Sequence, residues 1–229
     1  MEPDFIADAL ADIGVQKMAM QQGLANMAAM LEKSTLSATE ESFRSISLSR
    51  LHYHFSSISI HHLVGSGSFG LVYEGEYSGQ VVAIKKLVKP NGSAWSVDEK
   101  KAIENEILLT ALMSNPNIIR VYGYCEDGPG CVFIIMDYAS RGCLWSMLQD
   151  KINYPVIPLS LLLYWQVDIL RGLDYCHSMS VLHRDIKAEN VLLFDGLKCK
   201  LCDFGLAKRK IGGMSSSHHC AVTRCIIQV

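Results

Sequence analysis

Over residues 5–33 the apolar positions Ile6, Leu10, Ile13, Met20, Leu24, Met27 and Leu31 fall on the a and d sites of a heptad, with Lys17 the one break. They predict an amphipathic helix over 1–33. Gly14 and Gly23 each cost a helix interior about 1 kcal/mol relative to Ala, so such a helix holds only when docked. Three outcomes stay open: packing on the rest of the chain, a partner helix or self-association through 5–33, or disorder. Residues 34–55 then turn polar and Ser-rich (Ser34, Thr35, Ser37, Thr39, Glu40, Glu41, Ser42, Ser45, Ser47, Ser49), which predicts a linker.

Past residue 56 the period drops to two. Ile58 to Val64, Leu71 to Tyr77 and Val81 to Leu87 read as strands of an antiparallel meander, joined by turns at Gly65-Ser66-Gly67 and Ser78-Gly79. A helix is predicted from Val97 to Met113, opened by a capping box of Ser96 and Glu99 and ended before Asn115-Pro116. Strands follow at Ile118 to Cys125 and Cys131 to Met136, with Asp127-Gly128-Pro129-Gly130 as the turn. Beyond Gly142 the pattern is helical, strongest over Ser160 to Met179, before short hairpin strands at Val191 to Leu193 and Cys199 to Leu201.

Composition narrows the class. The chain has 229 residues, 49% of them hydrophobic and 19% charged, which excludes a wholly disordered protein. A net charge of −2 leaves no general basic field, so no nucleic-acid partner is expected. Eight irregularly spaced cysteines suit a reducing compartment, the start Met1-Glu2-Pro3-Asp4 is acidic, and no stretch has the apolar length of a membrane span; the expectation is a cytoplasmic protein.

Four motifs carry chemistry. The string Gly65-Ser66-Gly67-Ser68-Phe69-Gly70-Leu71-Val72 lies between two strands and not between a strand and a helix, which suits a flap of backbone amides over phosphates better than a dinucleotide fold. In Val82-Ala83-Ile84-Lys85, Ala83 and Lys85 share a strand face, so a small residue lies beside a cation under the flap. Alone, Lys85 reads as a lysine lying along the surface. The third and fourth are His183-Arg184-Asp185-Ile186-Lys187-Ala188-Glu189-Asn190 and Asp203-Phe204-Gly205. Two acids and an amide in one cleft can hold Mg²⁺ through oxygen and leave a carboxylate to receive a hydroxyl proton.

In order and context, these motifs over residues 58–210 resemble the signature set of eukaryotic protein kinases. The resemblance implies an α+β, bilobal fold, with a β-rich N-lobe and hinge over 56–139 and a partial helical C-lobe over 140–229. It implies ATP and Mg²⁺ as cofactors and a protein substrate with a Ser or Thr acceptor. Val64, Gly65, Gly67 and Gly70 would cover the nucleotide, Val72 and Ala83 would roof the adenine, Leu192 would floor it, and Met136 would close the back pocket. Lys85 would pair with the α and β phosphates and be held by a helix glutamate. Glu104 and Glu106 compete, and the family's spacing to Asn117-Ile118-Ile119 selects Glu106. Asp185 would be the catalytic base, Lys187 would steady the γ phosphate, and Asn190 and Asp203 would bind the metal. Lys187 resembles the serine/threonine pattern, and the strands around Tyr73 and Tyr124 resemble the tyrosine-kinase-like group.

Other residues carry weaker signals. Cys143 falls at a helix start, where thiolates are more available, so alkylation by electrophiles aimed at the nucleotide site is expected. Cys199 and Cys202 would point to opposite faces of a strand, His52, His54, His61 and His62 read as strand surface, and Trp95, Trp145 and Trp165 as packing residues. Thr110 stands where the family usually has an apolar side chain, and Arg184 suggests control by a phosphate on Ser215, Ser216, Ser217 or Thr223. No Ala-Pro-Glu motif follows Asp203. The competing expectation is therefore a catalytically impaired, ATP-binding regulatory or scaffolding fragment.

Overall fold

Side chains that alternate between faces build the first half into one sheet. In the computed structural model, which describes residues 36–67, 70–89 and 92–209, the strands are β1 (Ile58–Gly67), β2 (Gly70–Tyr77), β3 (Gln80–Val88), β4 (Val121–Glu126) and β5 (Cys131–Asp137). They are antiparallel in the order β1-β2-β3-β5-β4. Val82 and Ile84 pack on one face with Phe133, Ile135 and Cys125. Ala83 and Lys85 take the other, in register with Glu74 and Val72 on β2 and with Met136 and Ile134 on β5.

Two helices belong to this half, α1 (Leu36–Leu51) and α2 (Val97–Ala111). The capping box that opens α2 is formed: Ser96 Oγ accepts from Glu99 N at 3.3 Å and Glu99 Oε2 accepts from Ser96 N at 2.8 Å. α1 corrects the expectation of a linker over 34–55. Its sequence has no continuous apolar stripe, and what holds it is tertiary: Leu48 is buried with Ile107, Val121, Tyr124, Val132 and Ile134. The helix expected over 1–33 and the acceptors Ser215, Ser216, Ser217 and Thr223 lie outside the described residues.

The second half is helical. α3 (Leu144–Gln149) and α4 (Leu159–Ser178) are followed by β6 (Val181–Leu182), β7 (Val191–Leu193), β8 (Cys199–Leu201) and β9 (Lys208–Arg209), paired β6 with β9 and β7 with β8. Trp165, Ile169, Leu173 and Cys176 of α4 are buried against Val191, Leu193, Leu201 and Phe204. Trp165 is the packing residue expected, its indole N–H donating to Leu197 O at 2.8 Å, whereas Trp145 is 47% exposed. No helix of the described residues is long and apolar enough to cross a membrane.

The halves join through a segment read as strand. Ile118 and Ile119 are buried, but β4 starts only at Val121. Before it, Leu201 N donates to Asn117 O and Ile119 N to Leu201 O, each at 2.9 Å. The sheet is thereby fastened to the strand that runs into Asp203.

Candidate active site

β3, α2 and the turn after β8 place three charged side chains together. Lys85 Nζ donates to Glu106 Oε1 at 3.0 Å and stands 3.7 Å from Asp203 Oδ1. The lysine side chain is only 12% exposed. Burial pulls its pKa down, but the Glu106 and Asp203 carboxylates outweigh it, and the ammonium stands above the ordinary lysine value. Of the two candidate glutamates, Glu106 is the one at Lys85, while Glu104 bonds Arg44 of α1.

The second cluster follows β6. Lys187 Nζ lies 2.8 Å from Asp185 Oδ2, and Asn190 Nδ2 donates to the same oxygen and to Asp185 O, both at 2.9 Å. These donors, Lys187 first, lower the Asp185 pKa, and the aspartate raises that of Lys187. Both of these Asp185 side-chain contacts fall on Oδ2 and neither on Oδ1. The clusters touch where Cys202 N donates to Asn190 O at 3.0 Å.

His183 ties the loop to Asp203-Phe204-Gly205, a role that its place in the string from His183 to Asn190 does not by itself reveal. The ring is buried, its Nε2 lies 2.9 Å from Cys202 O, and Asp185 N donates to Nδ1 at 3.4 Å. Those partners fix a neutral tautomer with the proton on Nε2, and burial lowers the pKa, which agrees. The imidazole packs on Phe204 with ring centroids 4.6 Å apart. Arg184, at φ 66°, donates from Nε to Leu206 O at 2.6 Å.

The remaining expected residues surround this centre. Gly65 pairs with Val72 and Gly67 with Gly70 across β1 and β2; Ser68 and Phe69 lie outside the described residues. Val64 is 43% exposed. Met136 pairs with Ala83 and contributes to the hydrophobic clusters of both halves. Leu192 bridges Cys143, the N-cap residue of α3, whose sulfur makes no cap to the helix backbone and lies 2.9 Å from Ser146 Oγ. Thr110 folds its hydroxyl onto Glu106 O at 2.8 Å, so this buried polar group is satisfied within its own helix. Burial raises the pKa of both Cys199 and Cys202, the latter to about 12. The sulfur of Cys199 is packed in the core.

The donor set suits a hard cation. Asp203 Oδ1 is buried without a hydrogen-bond partner. The side-chain amide nitrogen of Asn190 is committed to Asp185, which leaves its oxygen as the donor atom. Oxygen ligands from a carboxylate and an amide match Mg²⁺.

Known proteins resemble this chain in sequence. A family model for the protein kinase domain matches residues 58–225. The chain is 32% identical over 159 residues to the mouse (Mus musculus) serine/threonine-protein kinase TNNI3K, covering 69% of this chain and 19% of that protein. It is 36% identical over 154 residues to the RGS domain-containing serine/threonine-protein kinase A of Dictyostelium discoideum, covering 67% and 13%. With the calcium/calmodulin-regulated receptor-like kinase 1 of Arabidopsis thaliana it shares 33% identity over 153 residues, 65% and 33% of the two chains. The chain spans a third or less of the length of each. The family match, with the motif order and the antiparallel sheet that carries the Lys85–Glu106 pair, establishes that the chain belongs to the protein kinase domain family.

Proposed function

We propose that this chain binds Mg²⁺ and ATP in the cleft between Lys85 and Asp185 and acts as an ATP-dependent protein serine/threonine kinase. Its carrying observation is the Glu106–Lys85–Asp203 contact, which puts a cation fixed at high pKa beside a buried carboxylate oxygen that has no hydrogen-bond partner. Bound Mg-ATP supplies the transferable γ-phosphoryl group and the metal charge that neutralises it. Lys85 holds the α and β phosphates while Glu106 fixes its direction; Asn190 and Asp203 hold Mg²⁺ through oxygen. Asp185 orients the acceptor hydroxyl at Oδ1 and takes its proton there. Lys187, 2.8 Å from Oδ2 of the same carboxylate, steadies the γ phosphate. Val72, Ala83, Met136 and Leu192 enclose the adenine under the glycine turn of Gly65, Gly67 and Gly70. The protein substrate presents Ser or Thr, and the cytoplasm is the proposed compartment.

Calorimetric titration of ATP in excess Mg²⁺ tests this reading. The wild-type chain binds one equivalent, and Lys85→Met weakens binding by about tenfold or more through loss of a charge-assisted phosphate contact. Equal affinity in the two proteins removes Lys85 from the nucleotide site.

A further inference from the structure

Glu104 and Glu106 lie two apart on α2, and at 3.6 residues per turn their side chains leave the helix in nearly opposite directions. Both are engaged. Glu106 meets Lys85 on the cleft side, and Glu104 accepts from Arg44 Nη2 of α1 at 3.2 Å on the far side. The same Arg44 nitrogen lies 3.3 Å from Lys101 O, so one guanidinium grips both a side chain and the backbone of α2. Arg44 and Glu104 are 23% and 22% exposed, more shielded than an ordinary surface pair. α2 is therefore held between two cations, one from the sheet and one from α1.

α1 is itself anchored. Leu48, one turn past Arg44, is 8% exposed and packs in the cluster that contains Ile107, the residue after Glu106. Beyond the helix, Tyr53 N donates to Tyr124 O at 2.8 Å, and the His52 ring meets the Tyr124 ring edge-on at 5.0 Å, which covers the open edge of β4. The approach is close enough to dictate sequence: a Cβ on Gly123 would fall 2.3 Å from Leu51 O and 2.3 Å from the Tyr53 ring. Lys100 adds a further tie, 3.1 Å from Glu126 at the end of β4.

We propose that α1 is a built-in brace for α2 and that Arg44, acting through Glu104, is a positioning residue that keeps Glu106 on Lys85. The brace is a property of the fold itself; its consequence for nucleotide binding rests on the kinase reading above. Displacing α1 lets α2 swing away from the sheet, and Lys85 then loses the carboxylate that directs it.

Hydrogen exchange on the nucleotide-free full chain decides the matter, comparing wild type with Arg44→Glu, Glu104→Arg and the double charge swap. Each single reversal speeds exchange of the α2 amides 103–110 by about fivefold, the double swap returns it to within about twofold of wild type, and the α4 amides 165–176 do not change. Should a reversal fail to fold, Arg44→Gln is read in the same way, with faster exchange confined to α2 expected. Unchanged α2 exchange, acceleration spread equally into α4, or no recovery in the double swap overturns the brace. ATP affinity of the same proteins is read separately: about fivefold weaker in each single variant and recovered in the swap. A wild type that does not bind ATP refutes the kinase reading and leaves the exchange result to decide the brace.

Discussion

Asp203 Oδ1 stands 3.7 Å from the Lys85 ammonium, buried, and accepts no hydrogen bond. A buried carboxylate oxygen that is ion-paired but accepts no hydrogen bond is costly, and a directly ligated metal cation would satisfy it. The backbone there is also held at φ 65°, outside the region L-residues prefer. Asp203→Asn keeps the shape and removes the charge. Mg²⁺ then no longer improves ATP affinity, a loss of about tenfold or more relative to wild type, measured by titration with and without the metal.

His183 carries a pH signature. Its folded pKa lies below the ordinary imidazole value of 6.5 because the ring is buried, so the unfolded chain takes up a proton at a pH where the folded one does not. The neutral ring's contribution is complete above pH 6.5 and is lost progressively as pH falls from there toward the folded pKa. Urea denaturation of His183→Phe is expected to show a flatter stability profile just below pH 6.5 and a cost of about 1–3 kcal/mol at neutral pH, because Cys202 O and Asp185 N lose their partner.

Gly70 is fixed by sterics. At φ 131° it occupies backbone space that a side chain rarely enters, and an added Cβ would fall 2.4 Å from the carbonyl oxygen of Lys86. That carbonyl belongs to β3, one residue past Lys85, and cannot move aside like a side-chain tip. Gly70→Ala is expected to lose about 1–3 kcal/mol in thermal or urea unfolding and to weaken ATP binding together with it.

Much of the sheet, and the grouping of Lys85, Asp185, Asn190 and Asp203 in one region, was legible because the signals are local. Alternation marks β2 and β3, Ser96 and Glu99 mark the start of α2, and Lys85, Asp185, Asn190 and Asp203 each sit in a short motif. Three features were hidden because they depend on contacts distant in sequence. α1 has the composition of a linker, and contacts distant in sequence, Leu48 and Leu51 with the cluster around Ile107 and Tyr124 and Arg44 with Glu104, make it a helix of the fold. Ile118 and Ile119 look like strand, yet their backbone is claimed by Leu201. The choice between Glu104 and Glu106 came from family spacing; a helical period says only that the two face apart, not which one faces Lys85.

Transfer of labelled γ-phosphate to protein serine or threonine, by the wild-type chain and by Asp185→Asn, tests the proposed activity most directly. The expected result is phosphoserine or phosphothreonine from the wild type and a rate lower by about 10²–10⁴-fold in the variant, the range for loss of a positioned base. Wild-type protein that binds Mg-ATP but transfers nothing, or a variant that transfers as fast as wild type, contradicts it.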